Sequence, residues 1–271
     1  MKRIIAINSN TYHGFSVEDS IRGIAEAGFH YIELTATMGW TEHVFPDQPF
    51  RRLLRVQDML REAGLVPFAM SGHTNLTDPA RTQDFRDNIR LAEFFGCRYI
   101  VSSIGEAHLK DKHSADAEET ARCVAQFVPD LEARDMMLVL EVHGKDHGTG
   151  AILSDIVRRV GSDRVRINYD TANAIFYGRV DPVKDLAECQ KDVAFLHIKD
   201  KGGADDVWDF PAPGQGHVDF DGIFQVLRSA GNNSPFSVEI EFTPEGPGSL
   251  DKVNKAVKDS AAFFLSKGFE L

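Results

Sequence analysis

The chain has few cysteines and no long apolar run. Its 271 residues include three cysteines, Cys97, Cys123 and Cys189, which lie far apart and form no CxxC pair. This spacing indicates neither a disulfide framework nor a cysteine-based zinc site, and it is typical of buried thiols in a reduced, cytoplasmic protein. No stretch approaches the roughly 18 consecutive apolar residues that a membrane-spanning helix needs. The apolar run that ends at Asn8 is too short for a secretory signal.

Basic charge is also scarce relative to acidic charge. Lys and Arg total 30 against 41 Asp and Glu, which gives a formal net charge of −11 with neutral histidine. A net negative surface repels phosphate backbones, so the composition argues against a nucleic-acid partner but is compatible with divalent cations. Hydrophobic residues make up 42% of the chain, which is too apolar for a disordered protein.

No proline- or serine-rich linker divides the chain, so we expect a single domain over residues 1–271. Instead, short β-branched runs alternate with amphipathic helical patterns. Strands are predicted at 3–8, 30–34, 66–70, 98–102, 137–141, 165–169, 193–198 and 236–241. Helices are predicted at 16–28, 49–63, 80–95, 115–134, 151–160, 182–190, 219–230 and 250–266. Eight such units predict an α/β protein, a closed (β/α)₈ barrel. A doubly wound open sheet is the alternative, but the turn after the first strand has no GxGxxG.

Polar residues stand at the carboxyl ends of the fifth to eighth predicted strands, where the chemistry of such barrels takes place. Side chains alternate along a strand, so the apolar positions should face the outer helices and the intervening ones the barrel mouth. In the fifth, seventh and eighth strands the residues left pointing inward are Glu141, His197 and Glu239. Asp170 lies at the matching end of the sixth strand.

Three carboxylates and one imidazole would converge at this mouth. Such a group would be repulsive or poorly solvated without compensation, and a divalent metal ion is the natural compensation. Oxygen and nitrogen ligands in this ratio suit Mn²⁺, which we favour, or Mg²⁺, with Co²⁺, Fe²⁺ and Zn²⁺ as alternatives. The competing interpretation, four ordinary rim residues, is disfavoured because all four occur in register.

Several motifs resemble one family. They occupy residues 140–144, 169–173, 197–200, 214–220 and 237–241. In this order they resemble the xylose isomerase-like barrels, a superfamily that includes ketose 3-epimerases, hydroxypyruvate isomerases and inosose dehydratases. The resemblance covers most of the chain. It implies a metal ion held by Glu141, Asp170, His197 and Glu239, the same set that strand alternation selects.

One position departs from the family pattern. Many ketose epimerases of this family carry Asp-x-x-His after the sixth strand, and the histidine contacts substrate oxygens; here the position is Asn173. An amide can hydrogen-bond a substrate hydroxyl, but it cannot accept a proton at neutral pH. Direct transfer of the 3-epimerase activity is therefore disfavoured, and a non-catalytic sugar-binding barrel is an alternative.

Further residues are candidates for contacts around the cluster. Glu241 lies on the same side of its strand as Glu239; it is an alternative ligand or a supporting partner, and the resemblance favours Glu239 as the ligand. His143 is predicted to face substrate, or else to be a rim histidine held by a loop. Lys199 is predicted to contact substrate, to pair with a ligand carboxylate, or both.

On the opposite half of the barrel, His73 is the best substrate contact, and Glu33 is predicted to be a buried orienting group. Trp40 and Trp208 lie in loops where they would cover a sugar ring or simply pack. The loop 201–209 has glycines but also three aspartates, which oppose a phosphate dianion unless Lys201 overrides them. A non-phosphorylated substrate is therefore favoured.

The resemblance and the predicted site together indicate a metal-dependent sugar isomerase or epimerase that acts on a carbohydrate-like α-hydroxy ketone or aldehyde through an enediolate. Glu141 and Glu239 would act as acid and base from opposite sides of the substrate carbon. A metal-dependent keto-polyol dehydratase on the same site is the alternative. A further alternative, a nuclease with a three-zinc cluster, is disfavoured because it would need more histidine ligands. Barrels of this group are often dimers or tetramers, so a homo-oligomer is compatible with the resemblance.

Overall fold

Eight parallel strands close into a barrel in the computed structural model, which describes residues 3–106, 109–110 and 115–271. The strands are β1 (Ile5–Asn8), β2 (Tyr31–Thr37), β4 (Val66–Ser71), β5 (Tyr99–Ser102), β6 (Met137–Glu141), β7 (Val165–Asp170), β8 (Val193–Ile198) and β9 (Phe236–Val238). A short strand β3 (Thr41–Glu42) pairs antiparallel with β2. Strand β1 pairs with both β2 and β9, which closes the sheet. The predicted fold is confirmed.

Ten α-helices lie between the strands or follow the last one within the described residues. They are α1 (Val17–Glu26), α2 (Phe50–Glu62), α3 (Thr82–Phe94), α4 (Ala117–Ala125), α5 (Val128–Glu132), α6 (Gly150–Val160), α7 (Thr171–Phe176), α8 (Pro182–Cys189), α9 (Phe220–Ser229) and α10 (Leu250–Ser266). Short 3₁₀ helices span Ser9–Tyr12 and Pro79–Arg81. None of the helices in these ranges combines the length and the apolar character that a membrane crossing requires.

The helix predicted over 115–134 is in fact two helices, α4 and α5. Pro129 lies in the first turn of α5. Proline has no N–H and its ring collides with the preceding turn of a helix, so a continuous helix through this position is disfavoured. Helix α7 was not predicted; it begins directly after β7, where the Asp170 side chain accepts the first backbone N–H groups.

The alternation of side chains along the strands separates two apolar layers. The outward-facing residues, among them Leu140, Leu196 and Val238, pack in the core between the strands and the helices. The inward-facing residues form a smaller cluster inside the barrel, which includes Val139 and Phe195. This inner layer lies inside the barrel. Glu141 and His197 stand two residues further along the same strands, next to these apolar side chains.

The cysteines are unpaired, as predicted. Cys97 and Cys189 are buried, whereas Cys123 is only partly buried on α4. The expectation of three buried thiols is therefore wrong for Cys123, which lies between the buried positions Ala121 and Val124 of the amphipathic helix.

A buried histidine directly after β3, His43, predicts a pH-dependent stability. His43 Nε2 lies 3.1 Å from the Phe15 carbonyl oxygen, to which it donates. Its Nδ1 is buried and has no hydrogen-bond partner within the described residues. Burial lowers the pKa of His43 to about 4. An unfolded histidine titrates near 6.5, so the unfolded chain binds a proton that the folded protein excludes as the pH falls from about 6.5 to 4.

The stability that neutral His43 contributes is thus present above about pH 6.5 and is lost as the pH falls towards 4. We expect the unfolding free energy of the native protein, measured relative to that of the His43→Gln variant, to fall by up to about 3 kcal/mol from pH 7 to pH 4. Urea unfolding at the two pH values measures this difference. The matched control is His30→Gln at an exposed position. A difference for His43→Gln that does not change with pH would contradict the prediction.

Candidate metal centre

Four side chains meet at the carboxyl ends of neighbouring strands. Glu141 ends β6, Asp170 ends β7, His197 lies on β8, and Glu239 follows β9 directly. One ligand atom from each lies within 4.8 Å of those from the others, and all four residues are buried. We call these four residues the cluster. The structure therefore brings together the four residues that the sequence selects.

Asp170 leaves one oxygen without a partner. Its Oδ1 accepts the backbone N–H groups of Ala172 at 3.0 Å and Asn173 at 2.8 Å, which starts helix α7. Its Oδ2 is buried without a hydrogen-bond partner within the described residues. This oxygen lies 3.8 Å from His197 Nδ1 and 3.9 Å from Lys199 Nζ. Burial raises the pKa of Asp170 to about 7 against the opposing effect of Lys199. Burial of a carboxylate oxygen without a hydrogen-bond partner costs folding free energy unless a cation lies close to it.

His197 is oriented by a carboxylate on the far side of its ring. Its Nε2 lies 3.1 Å and 3.3 Å from the two oxygens of Glu33, which is fully buried on β2. Its Nδ1 faces the cluster, 3.0 Å from Glu141 Oε1. A carboxylate behind a histidine fixes both the ring and the nitrogen that a metal ion would meet. Glu33 lies where the sequence places an orienting group.

The charges of Glu33, Glu141 and Glu239 also act on His197. Burial alone would lower the pKa of His197, but these three carboxylates raise it well above its ordinary value.

Lys199 is held by carboxylates. Its Nζ lies 3.1 Å from Glu239 Oε2 and also donates to Glu241 Oε2. The ammonium group sits 4.6 Å from the centre of the Phe210 ring. Burial would lower the pKa of Lys199, but the surrounding carboxylates raise it well above its ordinary value. Of the two alternatives for Lys199, the ion pair is therefore present.

Glu239 and Glu241 respond differently to the same lysine. Burial raises the pKa of Glu241 to about 7 against the effect of Lys199. Burial acts in the same sense on Glu239, but Lys199 and His197 outweigh it and lower the pKa of Glu239 to about 2. Among these two glutamates, Glu239 belongs to the cluster, and Glu241 contacts Lys199 and Asn10.

His73 and Asn173 contact Glu141. His73 Nδ1 accepts the N–H of Ser103 at 2.9 Å, so the proton of the neutral ring lies on Nε2, which is 3.2 Å from Glu141 Oε2. Burial lowers the pKa of His73 to about 4. The Asn173 amide lies 3.4 Å from Glu141 Oε1. Both residues, which the sequence predicts as substrate contacts, thus support a cluster carboxylate.

His143 is only partly buried and lines a narrow cleft over the cluster, as do His73 and Glu141. Its ring centroid lies 4.8 Å from that of Tyr177 and 6.0 Å from that of His73. The cleft has a volume of about 20 Å³. His143 is therefore the predicted contact residue that is best placed to meet a molecule entering from the mouth.

Two asparagines complete the surroundings of Glu239: Asn8 is the last residue of β1, and Asn10 lies two residues further on. Asn8 Nδ2 and Asn10 Nδ2 each lie 3.1 Å from Glu239 Oε1. Sequence reasoning did not select Asn10, although the polar run 8–11 after the first strand was a visible signal. Its amide reaches Glu239 because the chain turns into the 3₁₀ helix Ser9–Tyr12 at this point.

The donors and charges of the mouth suit a divalent cation. The carboxylates of Glu33, Glu141, Asp170, Glu239 and Glu241 face one lysine, Lys199, and the imidazole of His197. Carboxylates thus remain in excess. Ligands on opposite sides of an ion at about 2.0–2.6 Å lie up to about 5 Å apart, which matches the 4.8 Å spread of the cluster atoms. The cluster could therefore hold one divalent ion.

Lys201, in the loop after β8, is not free to bind a phosphate. Its side chain is buried and donates to the backbone carbonyl oxygens of Gly202 and Ala204, the latter at 2.8 Å. The three aspartates of this loop thus keep their effect on an approaching dianion.

A closed parallel barrel with a buried carboxylate and histidine cluster at the carboxyl ends of its strands defines the class of this protein. The chain matches the family model of the xylose isomerase-like TIM barrel over residues 21–267, and it belongs to that family. The resemblance read from its motifs is confirmed.

Several solved structures share the fold. The D-allulose 3-epimerase from Methylomonas sp. is 18% identical, with a TM-score of 0.77 over 98% of this chain and 99% of that one. The IolI protein with a bound zinc atom is 21% identical, with a TM-score of 0.78 and full coverage of both chains. The probable 3-DHS dehydratase AsbF from Bacillus anthracis is 18% identical, with a TM-score of 0.72 over 98% and 99% of the two chains. No curated protein sequence matches the chain.

Proposed function

We propose that this protein is a divalent-metal-dependent isomerase or epimerase of a non-phosphorylated sugar or sugar-like α-hydroxy ketone or aldehyde. The observation that carries the proposal is Asp170 Oδ2, which is buried beside three further donors and has no hydrogen-bond partner within the described residues. Glu141, Asp170, His197 and Glu239 would hold the ion. We favour Mn²⁺, and Mg²⁺, Co²⁺, Fe²⁺ and Zn²⁺ are alternatives; the zinc atom of the IolI structure supports a metal site in this fold.

A bound divalent ion would polarise the substrate carbonyl and stabilise the enediolate charge. The proton transfers then fall to Glu141 and Glu239, which reach the mouth from different parts of the barrel, the end of β6 and the residue after β9. One carboxylate would remove a proton from the substrate carbon, and the other would deliver one. Action from two sides of the carbon gives epimerisation, and action from a single side gives aldose–ketose isomerisation.

Both glutamates are held in position by other side chains. His73 donates to Glu141, and Lys199, Asn8 and Asn10 donate to Glu239. Fixed carboxylates favour proton transfer because the reacting atoms need little rearrangement. Asn173 stands where many relatives have a histidine, and it cannot take a proton. This substitution supports a mechanism in which the two glutamates alone carry the proton.

The second candidate is a dehydratase of a keto-polyol on the same site. Its first step is the same proton abstraction, followed by loss of a β-hydroxyl group. Asn173 departs from the epimerase pattern, which supports this candidate, and so does the fold that the chain shares with AsbF.

Exchange of a substrate C–H proton with solvent tests the proposed function. The Mn²⁺-loaded protein is incubated in D₂O with ketoses, keto-polyols and hydroxypyruvate, then quenched, stripped of metal and analysed by proton NMR. We expect one C–H signal of a substrate to disappear, and prior chelation to prevent this. The product then distinguishes epimerase, isomerase and dehydratase. Stoichiometric binding of a sugar without any exchange would overturn the proposal and support a non-catalytic sugar-binding barrel.

A matched pair of variants tests which of the two glutamates after β9, Glu239 or Glu241, takes part in the proton transfer. We expect Glu239→Gln to reduce C–H exchange by more than about tenfold, because Glu239 belongs to the cluster and its carboxylate would carry a proton. Glu241→Gln should retain more exchange than Glu239→Gln, because Glu241 acts through Lys199. The initial exchange rate of each variant with the same substrate measures the difference. The reverse order would assign the ligand role to Glu241.

A further inference from the structure

A cavity of about 570 Å³ opens above the cluster, between the loops that follow β1, β2, β8 and β9. We call it the mouth cavity. Asn10 and Glu241 line both the mouth cavity and the narrow cleft over the cluster, so the two spaces are adjacent. The cleft has only about 20 Å³, so the mouth cavity is the adjacent space with room for the part of a substrate beyond its reacting atoms. At ~30 Å³ per water molecule, the cavity has room for about 19 waters, more than a single hexose displaces.

The wall of the mouth cavity is mainly apolar. Its apolar lining residues are Trp40, Trp208, Ile240, Phe242, Pro244 and Pro247. The tryptophans are held by ring contacts: Trp40 stacks on His13 with centroids 3.9 Å apart, and Trp208 packs edge-on against Phe210 at 5.0 Å. Pre-positioned aromatic rings lose little conformational entropy when a ligand binds.

Two polar side chains in this wall, Asn10 and Thr11, already have partners within the protein. Asn10 Oδ1 accepts from Trp40 Nε1 at 2.9 Å and from Thr41 Oγ1 at 2.7 Å. Its Nδ2 donates to Glu239 and Glu241. These contacts use the full capacity of an amide, which has two lone pairs and two N–H groups. Thr11 Oγ1 accepts the N–H of Ile240 at 3.1 Å. Sugar hydroxyls would gain little from these two residues, whereas an apolar group would gain from burial against the aromatic rings of the wall.

We propose that the mouth cavity binds an aromatic substituent of the substrate, and that the substrate class is therefore an aryl-substituted sugar. The inference rests on the proposed function, since the reacting end of the sugar is placed at the cluster. Trp40 connects the two parts: its indole N–H donates to Asn10, which in turn donates to Glu239. An aryl group that packs against Trp40 would therefore contact a residue that is connected to Glu239 through the hydrogen bonds of Asn10.

The two tryptophans of the chain both line this cavity, so their indole N–H signals report its occupancy directly. The full chain, with and without Mg²⁺, is titrated with phenyl β-D-glucopyranoside and methyl β-D-glucopyranoside and followed by ¹H–¹⁵N NMR. We expect the phenyl glucoside to shift both indole signals and to bind at least about tenfold more tightly than the methyl glucoside. Equal affinities, or no indole shift with the phenyl glucoside, would overturn the inference.

Variants of the wall make the test specific. Trp40→Ala should reduce the phenyl preference to less than about threefold, whereas Trp40→Phe keeps an aromatic ring and should retain most of it. The matched control is Phe50→Ala, which removes an exposed ring on α2 outside the cavity and should leave the preference unchanged. A preference that survives Trp40→Ala in a folded protein contradicts the assignment.

The titration needs neither turnover nor metal. A lost aryl preference with intact C–H exchange therefore rejects only this inference, whereas an aryl preference without exchange or metal binding rejects only the proposed function.

Discussion

Replacement of Asp170 by asparagine is expected to weaken divalent-metal binding by at least about 100-fold while leaving the metal-free protein folded. An amide oxygen can still accept the backbone N–H groups that start α7, as Oδ1 does in the native protein. The change removes the negative charge on Oδ2, the atom without a partner in the described structure. Removing one of several crowded carboxylates should also leave the metal-free variant at least as stable as the native protein.

The shift in unfolding free energy on addition of Mn²⁺ measures this effect. A ligand present at 1,000 times its dissociation constant stabilises the folded state by about 4.1 kcal/mol, and a 100-fold loss of affinity reduces this to about 1.4 kcal/mol. Asp185→Asn is the matched control. Asp185 is also buried, but it accepts from Gly150 N and Tyr169 Oη. This control should lower stability and keep the metal-dependent shift. A native-like shift in Asp170→Asn would exclude Asp170 as a ligand.

A second large effect is expected at Asp200, which anchors the loop after β8. Its Oδ1 accepts the backbone N–H groups of Lys201 at 2.8 Å and Val218 at 3.1 Å. Its Oδ2 accepts those of Gly214 and Gly216, both at 2.8 Å. The backbone comes this close because position 216 is glycine; a Cβ there would lie 2.4 Å from Asp200 Oδ1. One buried carboxylate thus fixes both ends of the loop.

We expect Asp200→Asn to lower the unfolding free energy by about 3 kcal/mol or more. An amide nitrogen in place of one oxygen would face N–H donors, and a buried donor left without an acceptor costs about 1–3 kcal/mol. Urea unfolding measures the loss, and faster proteolysis within residues 201–218 would locate it. Asp206→Asn, an exposed change in the same loop, is the matched control and should be neutral. A neutral Asp200→Asn variant would contradict the anchoring role.

The direction of the cluster side chains was predictable because it depends on local alternation. Val139 and Phe195 face the barrel interior, so Glu141 and His197, two residues further on, must do the same. Their hydrogen-bond partners could not be predicted in the same way. His73 and Lys199 point into the mouth as expected, but their polar atoms contact Glu141 and Glu239. Alternation gives the direction of a side chain and not the partner it meets.

Contacts that depend on a turn or on a distant segment were not predicted either, because strand alternation carries no information about them. The role of Asn10 arises because a 3₁₀ turn carries its amide towards Glu239, a residue 229 positions away in sequence. The division of the helix at Pro129 is different, since a proline in that pattern is a local signal that a boundary is near. Sequence patterns thus defined the barrel and the cluster, whereas the wall of the mouth cavity required the three-dimensional arrangement of four loops.

The contact between Glu33 and His197 joins residues that are 164 positions apart in the chain. Glu239 is added to the same group only where β9 pairs with β1. During synthesis on the ribosome, therefore, the cluster cannot assemble until nearly the whole barrel has emerged. A nascent chain that stops after β8 carries Glu141, Asp170 and His197 but lacks the final carboxylate. High-affinity metal capture would accordingly be a late event that reports completion of the ring.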